Sequence, residues 1–416
     1  MQDHRDRCAR AGGGGETPFE AAFGTGNDDF GQSGPALLWA RGSAETGAGY
    51  IDLTPRHAIG TILLTDRIYL DHAATTPMLP QAQAAVIKGM AHWANPSSPH
   101  AEGRAARAAL EGARRAVAGA YGWPHELIFT SGASEALQIA LRRSMARKTL
   151  ITAVEHDAVL RLAEGARTLP VDANGIIDRD ALKAAVGPDT ALCVQWANSE
   201  TGVRQPIAEI AQIVHAAGGT LIVDAAQMPA GVDAAIKQAD LVVVSAHKRG
   251  GPPGVGALLV RDFARLIPTG GQEKGYRAGT ENLPGALGYA AALAMPEDLA
   301  AMARLRAQLE AALPGVEVVG AASPRSPLIG AYRMPGVSSA AQLIRFDLAG
   351  ISVSAGSACA SGSLRPSHVL TAMGWDEPAL REVVRVSFGR TTTEADVDAF
   401  AALWRQIADE ARARAA

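Results

Sequence analysis

The chain has 416 residues, 48% of them hydrophobic, and a formal net charge of −3. That is apolar material for a large core or two domains, and neither the charge nor any basic stripe points to nucleic acid. The three cysteines, Cys8, Cys193 and Cys359, lack paired spacing, which argues against a disulfide framework or a zinc site and fits a reducing cytoplasm.

In chain order, residues 1–66 stand apart. Gly12-Gly13-Gly14-Gly15 and scattered Gly, Ser, Thr and Asp give little periodicity, so a disordered extension is expected there. The first residues have no apolar run behind them, and no signal peptide is expected. No apolar stretch approaches the roughly 20 residues of a membrane span, so no membrane partner is expected.

From Ile68 onward apolar runs alternate with Ala-rich helical runs. Strands are predicted over 127–130, 150–152, 192–196, 221–224, 241–245 and 257–260, with helices over 103–120, 134–146 and 207–217. This alternation predicts an α/β domain with a mostly parallel sheet, taken here as 67–313. A long helix over 286–313 leads out of it. After Pro314 shorter strands (316–319, 351–354, 384–388) and helices (340–349, 394–413) predict a smaller α+β domain, 314–416. Its last helix has Thr393 as N-cap, with Val397, Phe400, Leu403, Trp404 and Ile407 as a core-facing stripe.

Four segments carry chemistry, and each admits a plainer reading alone. Lys248 closes the strand 241–245 and precedes Arg249-Gly250-Gly251-Pro252-Pro253-Gly254. Open α/β sheets place ligands at that strand end, and lysine forms Schiff bases with carbonyl cofactors such as pyridoxal phosphate. The plainer reading is a solvated surface lysine. Asp224 ends another strand, where an ionised carboxylate can keep a pyridine nitrogen protonated; a helix-capping Asp is the alternative. Thr130-Ser131-Gly132-Ala133-Ser134-Glu135 is a phosphate cup at a helix start or an ordinary strand–helix turn. His156 is a ring-stacking proton carrier or a polar loop residue.

The stretch from Ser352 to Ser363 is nearly all Gly, Ala and Ser around one thiol, Cys359. A thiol in a mobile loop can reach a substrate and act as a nucleophile once ionised; an incidental thiol is the alternative. Cys193 lies inside an apolar strand and reads as an inert core residue.

Together, Ile68-Tyr69-Leu70-Asp71-His72-Ala73-Ala74-Thr75-Thr76-Pro77, Asn95-Pro96-Ser97-Ser98, Glu155-His156, Asp224-Ala225-Ala226-Gln227, Ser245-Ala246-His247-Lys248 and Arg277-Ala278-Gly279-Thr280 resemble the group I (NifS/IscS-like) cysteine desulfurases. These are enzymes of the class V aminotransferase branch that use pyridoxal 5'-phosphate. The resemblance runs from about residue 68 to 411 and extends through the Cys359 loop to Leu364-Arg365-Pro366-Ser367-His368. It implies the aspartate-aminotransferase-like fold type I, with a seven-stranded sheet in the large domain. It also implies a cytoplasmic homodimer that binds L-cysteine and hands sulfur to an acceptor protein thiol, for iron–sulfur cluster or thio-cofactor synthesis.

By resemblance, Lys248 would hold the cofactor covalently, Asp224 would pair with the pyridine nitrogen, and Gln227 would contact the ring hydroxyl. His156 would stack on the ring. Ala133, Ser134, Ser245 and His247 would hold the phosphate, joined by Thr280 of a second subunit. Asn95 and Arg385 would bind the substrate carboxylate, and Cys359 would take the sulfur. The family pattern has two asparagines where this chain has Asn198 and Ser199, so the second contact to the ring oxygen falls to a shorter side chain. Ser134 stands where threonine is common and keeps the hydroxyl. The chain stops soon after Ala411, so scaffold docking through a longer carboxyl tail is not expected. The rival readings are a related class V enzyme (selenocysteine lyase, cysteine lyase or aminotransferase) and a non-catalytic binding partner. An aminotransferase needs no thiol, and intact Lys248, Asp224, His156 and Cys359 argue against decay.

Overall fold

The computed structural model describes residues 67–313, 315–356 and 366–415. Cys8, Cys359 and the expected 1–66 extension lie outside them. The described chain opens with β1 (Ile68–Tyr69), α1 (Pro80–Ala91) and α2 (Ala101–Ala120). His100 caps α2 by accepting from the Gly103 N–H at 3.2 Å. Ala106, Ala109, Leu110, Ala113 and Val117 form its buried stripe, the three-four spacing of an amphipathic helix.

Next come β2 (Glu126–Thr130), α3 (Ala133–Arg142), β3 (Lys148–Thr152), α4 (Asp157–Leu162), β4 (Arg167–Leu169), α5 (Arg179–Ala185), β5 (Thr190–Gln195), α6 (Ile207–Ala216), β6 (Thr220–Asp224), β7 (Leu241–Ser245) and β8 (Gly256–Val260). The seven strands β2 to β8 form one sheet in the order β2-β8-β7-β6-β5-β3-β4. Only β8 runs antiparallel to its neighbours. Strands β5 to β8 are buried at every position. Continuous apolar runs are what a sheet covered on both faces demands. The helix predicted over 134–146 stops at Arg142 because the following segment turns away to pair with 265–267. The Met145 N–H donates to the Arg265 carbonyl and the Ile267 N–H to that of Arg143.

The single helix predicted over 286–313 is two helices, α7 (Leu283–Ala294) and α8 (Leu299–Ala312). Pro296 has no N–H and its ring clashes with a preceding turn. Asp298 then starts α8 afresh, accepting from the Ala301 N–H at 2.8 Å. The remainder comprises β9 (Glu317–Val318), β10 (Ile329–Arg333), α9 (Ser339–Leu348), β11 (Ile351–Ser352), α10 (His368–Ala372), α11 (Glu377–Leu380), β12 (Val383–Ser387) and α12 (Glu394–Ala415). The order β12-β10-β9 makes an antiparallel sheet whose central strand, β10, was not predicted. β1 returns to pair in parallel with β11.

Thr393 and Asp396 form a reciprocal cap on α12. Its Val397, Phe400, Trp404 and Ile407 are buried, and Phe400 stacks on Phe346 with centroids 4.6 Å apart. Among the described residues no helix is long and apolar enough to cross a membrane.

Phe400 is fully buried in this cluster. Phe400→Ala should lower unfolding stability by about 3–5 kcal/mol, the transfer and cavity cost of a core aromatic. Ile344→Ala, on an exposed side chain, should change it by less than about 0.5 kcal/mol. Denaturant midpoints measure both.

Candidate active site

Because β2 and β7 both run antiparallel to β8, their carboxyl ends lie on the same sheet edge as those of β3, β5 and β6. A cavity of about 450 Å³ opens there. Lys248, Asp224, His156, Gln227, Ser245 and His247 all line it, as do Ala133, Ser134 and Ser199. The topology thus gathers residues that are more than a hundred positions apart in sequence.

At one side of the cavity, the Lys248 Nζ donates to the carbonyls of Ala73 and Ala74, the latter at 2.8 Å. The same Ala73 carbonyl accepts from Gln227 Nε2 at 2.9 Å. Asp224 is 7% exposed. Burial holds its carboxyl above the usual range, opposed by a bond from the Ala226 N–H at 3.0 Å and by the fields of His156 and Lys248. His156 Nδ1 accepts from the Ala158 N–H at 3.1 Å and so caps α4. That bond assigns the neutral ring's proton to Nε2.

The other side is built to receive an anion. Gly132 precedes α3 with φ of 147° and supplies no side-chain cap, so the first N–H groups of α3 remain available at the positive end of its dipole. Ser245 is 1% exposed, and its Oγ has no hydrogen-bond partner among the described residues. His247 bonds the Thr75 hydroxyl at 3.1 Å. Burial, then the charges of Lys248 and Arg249, push its pKa down to about 4, so it is neutral at pH 7. Gly256 lies opposite both Thr130 and Ser245. A Cβ there would sit 2.8 Å from the Gly132 Cα, so glycine lets the cup approach the sheet.

Asn198 is spent on structure. Its Oδ1 accepts from the N–H groups of Glu200 and Thr201, and its Nδ2 donates to the Val154 carbonyl. It lines a smaller adjoining cavity with His156, Ser199, Gly356, His368 and Arg385. Arg385 pairs with Asp71 at 2.7 Å and donates to the Ser199 carbonyl at 2.9 Å. Gly356 precedes the Cys359 segment, which lies outside the described residues. Asn95 and Thr280 are exposed and line neither cavity within one chain; Asn95 Oδ1 accepts from the Ser97 N–H. Cys193 is fully buried in β5, and burial pushes its thiol pKa well up.

Sequence reasoning gave no role to Asp71, Gln195 or Glu155. Gln195 lines the main cavity and donates through Nε2 to the Val154 carbonyl at 2.6 Å. Glu155 is wholly buried beside Asp224; its Oε1 accepts from the Thr152 hydroxyl and the Gln195 N–H, while its Oε2 has no partner. Burial first, and Asp224 with it, lift its pKa to about 8 against the opposing bonds from Thr152 and the Gln195 N–H. An acid directly following an apolar strand was the available signal.

A carboxyl raised from 4.5 to about 8 retains its proton when folded over a range where the unfolded chain has released it. Stability therefore falls as pH rises through that window, and the penalty is complete above it. Glu155→Gln keeps the Oε1 acceptor and removes the titration. Its melting temperature relative to the parent, in matched cofactor state, should rise from pH 5 to pH 8. A difference independent of pH would refute the buried neutral acid.

The model of the aminotransferase class V family matches residues 68–400. A cysteine desulfurase of Cereibacter sphaeroides is 39% identical over 376 residues, which is 84% of this chain and 97% of the relative. A NifS-like protein from Rickettsia africae superposes with a TM-score of 0.76 at 31% identity, over 82% of this chain and 99% of that one. SspA, solved in complex with cysteine, superposes with a TM-score of 0.69 at 29% identity, over 78% of this chain and 100% of that one. The chain, with its seven-stranded, mostly parallel sheet, shares the fold of these neighbours, and it belongs to the class V aminotransferase family and, within it, to the cysteine desulfurases.

Proposed function

We propose that the chain is a pyridoxal-phosphate-dependent cysteine desulfurase that converts L-cysteine to L-alanine and retains the sulfur on Cys359. The observation that carries this reading is the convergence of Lys248, buried Asp224 and His156 with an uncapped helix start on one cavity. The residues fit the cofactor. The orphaned Ser245 Oγ and the free N–H groups of α3 suit a phosphate, with Ala133, Ser134 and His247 beside them. The raised carboxyl of Asp224 suits a pyridinium partner, which supplies the charge that burial removes. Gln227 and Ser199 line the same cavity, and the family pattern assigns them to oxygens of the ring.

Bound pyridoxal phosphate supplies an electron sink that weakens bonds at the substrate α-carbon. The chain supplies the rest. Lys248 would hold the cofactor, and its amine would remove the substrate α-proton. Asp224 would pair with the ring nitrogen, and His156 would stack on the ring. Arg385 binds the α-carboxylate, with Asn95 assigned to the same group by the family pattern. The Cys359 thiolate attacks the substrate sulfur. The net reaction balances without an outside oxidant: one cysteine and one protein thiol give one alanine and one protein persulfide. That persulfide passes to an acceptor thiol by exchange, supplying iron–sulfur or thio-cofactor synthesis in the cytoplasm.

A twofold homodimer completes the site. Thr280 is exposed and outside the cavity lining of its own chain, so it is assigned to the phosphate of a second copy. Ile87, Met90 and Trp93 give α1 and its end an exposed apolar face, of the kind that subunits cover.

Lys248→Ala should lower alanine production from cysteine by at least about 10²-fold and should abolish borohydride tagging of the chain by the cofactor. Normal turnover would exclude Lys248. Cys359→Ser should still bind the cofactor and cysteine but accumulate no persulfide. Persulfide mapped by mass spectrometry to Cys193 or Cys8 would overturn the role of Cys359.

A further inference from the structure

Arg385 is 6% exposed, and its donors are used unequally. One terminal nitrogen lies 2.7 Å from Asp71 Oδ1, and the other donates to the Ser199 carbonyl at 2.9 Å. Its Nε is buried and has no partner among the described residues. A buried N–H left unpaired costs free energy, and guanidinium meets carboxylate through adjacent N–H groups of a planar fork. The Nε–H is therefore the donor that an arriving carboxylate satisfies.

A long flexible side chain presents that donor usefully only if its plane is fixed. The Ser199 carbonyl fixes one corner and Asp71 the other. Asp71 is itself anchored, because its backbone bridges to Ser387, two residues along β12 from Arg385. Ser387 bonds that segment on both sides: its Oγ accepts from the Ala73 N–H at 2.9 Å, and its N–H donates to the Leu70 carbonyl at 2.8 Å. Acid and arginine are thus mounted on two backbone segments locked to each other. The acid also offsets the arginine's charge, so recognition depends on geometry more than on net attraction.

We propose that Asp71 is a positioning residue for the substrate carboxylate: it orients Arg385 so that the buried Nε–H stays available to an α-amino acid. The inference rests on the reading of the site as a cysteine desulfurase and deepens it. The test compares ligands with and without a carboxylate. L-alanine and ethylamine differ only in that group, and the binding of each is followed in the holoenzyme through cofactor absorbance. Asp71→Ala should weaken L-alanine about tenfold, the scale of one charged hydrogen bond, and leave ethylamine unchanged. The KM for L-cysteine should rise by a similar factor, with kcat within about twofold. Asp71→Asn, which keeps an oxygen facing Arg385, should restore L-alanine binding to within about threefold of the parent. Should Asp71→Ala fold poorly, Asp71→Ser carries the same comparison. Equal losses for both ligands, no loss for either, or a fall in kcat alone would overturn the proposal. The binding ratio needs no turnover, so failure of the desulfurase reading would appear separately, as no alanine formed from cysteine by the parent.

Discussion

The site hangs on one short backbone segment, Leu70–Thr76. The Ala73 carbonyl accepts from both Lys248 and Gln227, and the Ala74 carbonyl accepts from Lys248. The Thr76 N–H donates to the His247 carbonyl, and the Thr76 hydroxyl donates to that of Lys248. From its other end the same segment holds Arg385 through Asp71 and is tied to β12 by Ser387. Lysine and arginine, 137 positions apart, are therefore placed against a single frame. Backbone carbonyls suit this work because they have no rotamers to lose on ordering.

Charge is layered around that frame. Beneath the cavity lie two buried carboxyls, Glu155 and Asp224, both pushed upward by desolvation. Around it stand Lys248, Arg385 and the positive end of α3. Both are the same chemical group and burial opposes ionisation of each; at Asp224 the Ala226 N–H and the fields of His156 and Lys248 work against that shift. His247 and His72, each lowered to about 4 mainly by burial, add no positive charge near neutrality.

The sheet was legible because its strands are buried on both faces. The continuous apolar runs at 221–224 and 241–245 have no other stable placement, and Asp224 and Lys248 follow directly from their ends. Strand β10 escaped because Ile-Gly-Ala-Tyr-Arg has neither alternation nor a long apolar run; it becomes a strand through partners at 317–318 and 383–387. Strand β4 has three residues and only Leu169 buried, too short for any period to show. The helix expected over 286–313 is broken at Pro296, and Asp298 caps the second half afresh.

By itself the sequence determined the α/β class, the strand-end lysine and aspartate, the small-residue start of α3 and the core stripe of α12, because each depends on local periodicity or on one residue's chemistry. Only the tertiary structure decided that Asn198 is a turn-stabilising residue rather than a lining of the main cavity, that Glu155 lies buried beside Asp224, and that Asp71 faces Arg385. Those facts depend on which distant segments share a dielectric environment and a hydrogen-bond partner, and neither is encoded in neighbouring letters of the chain.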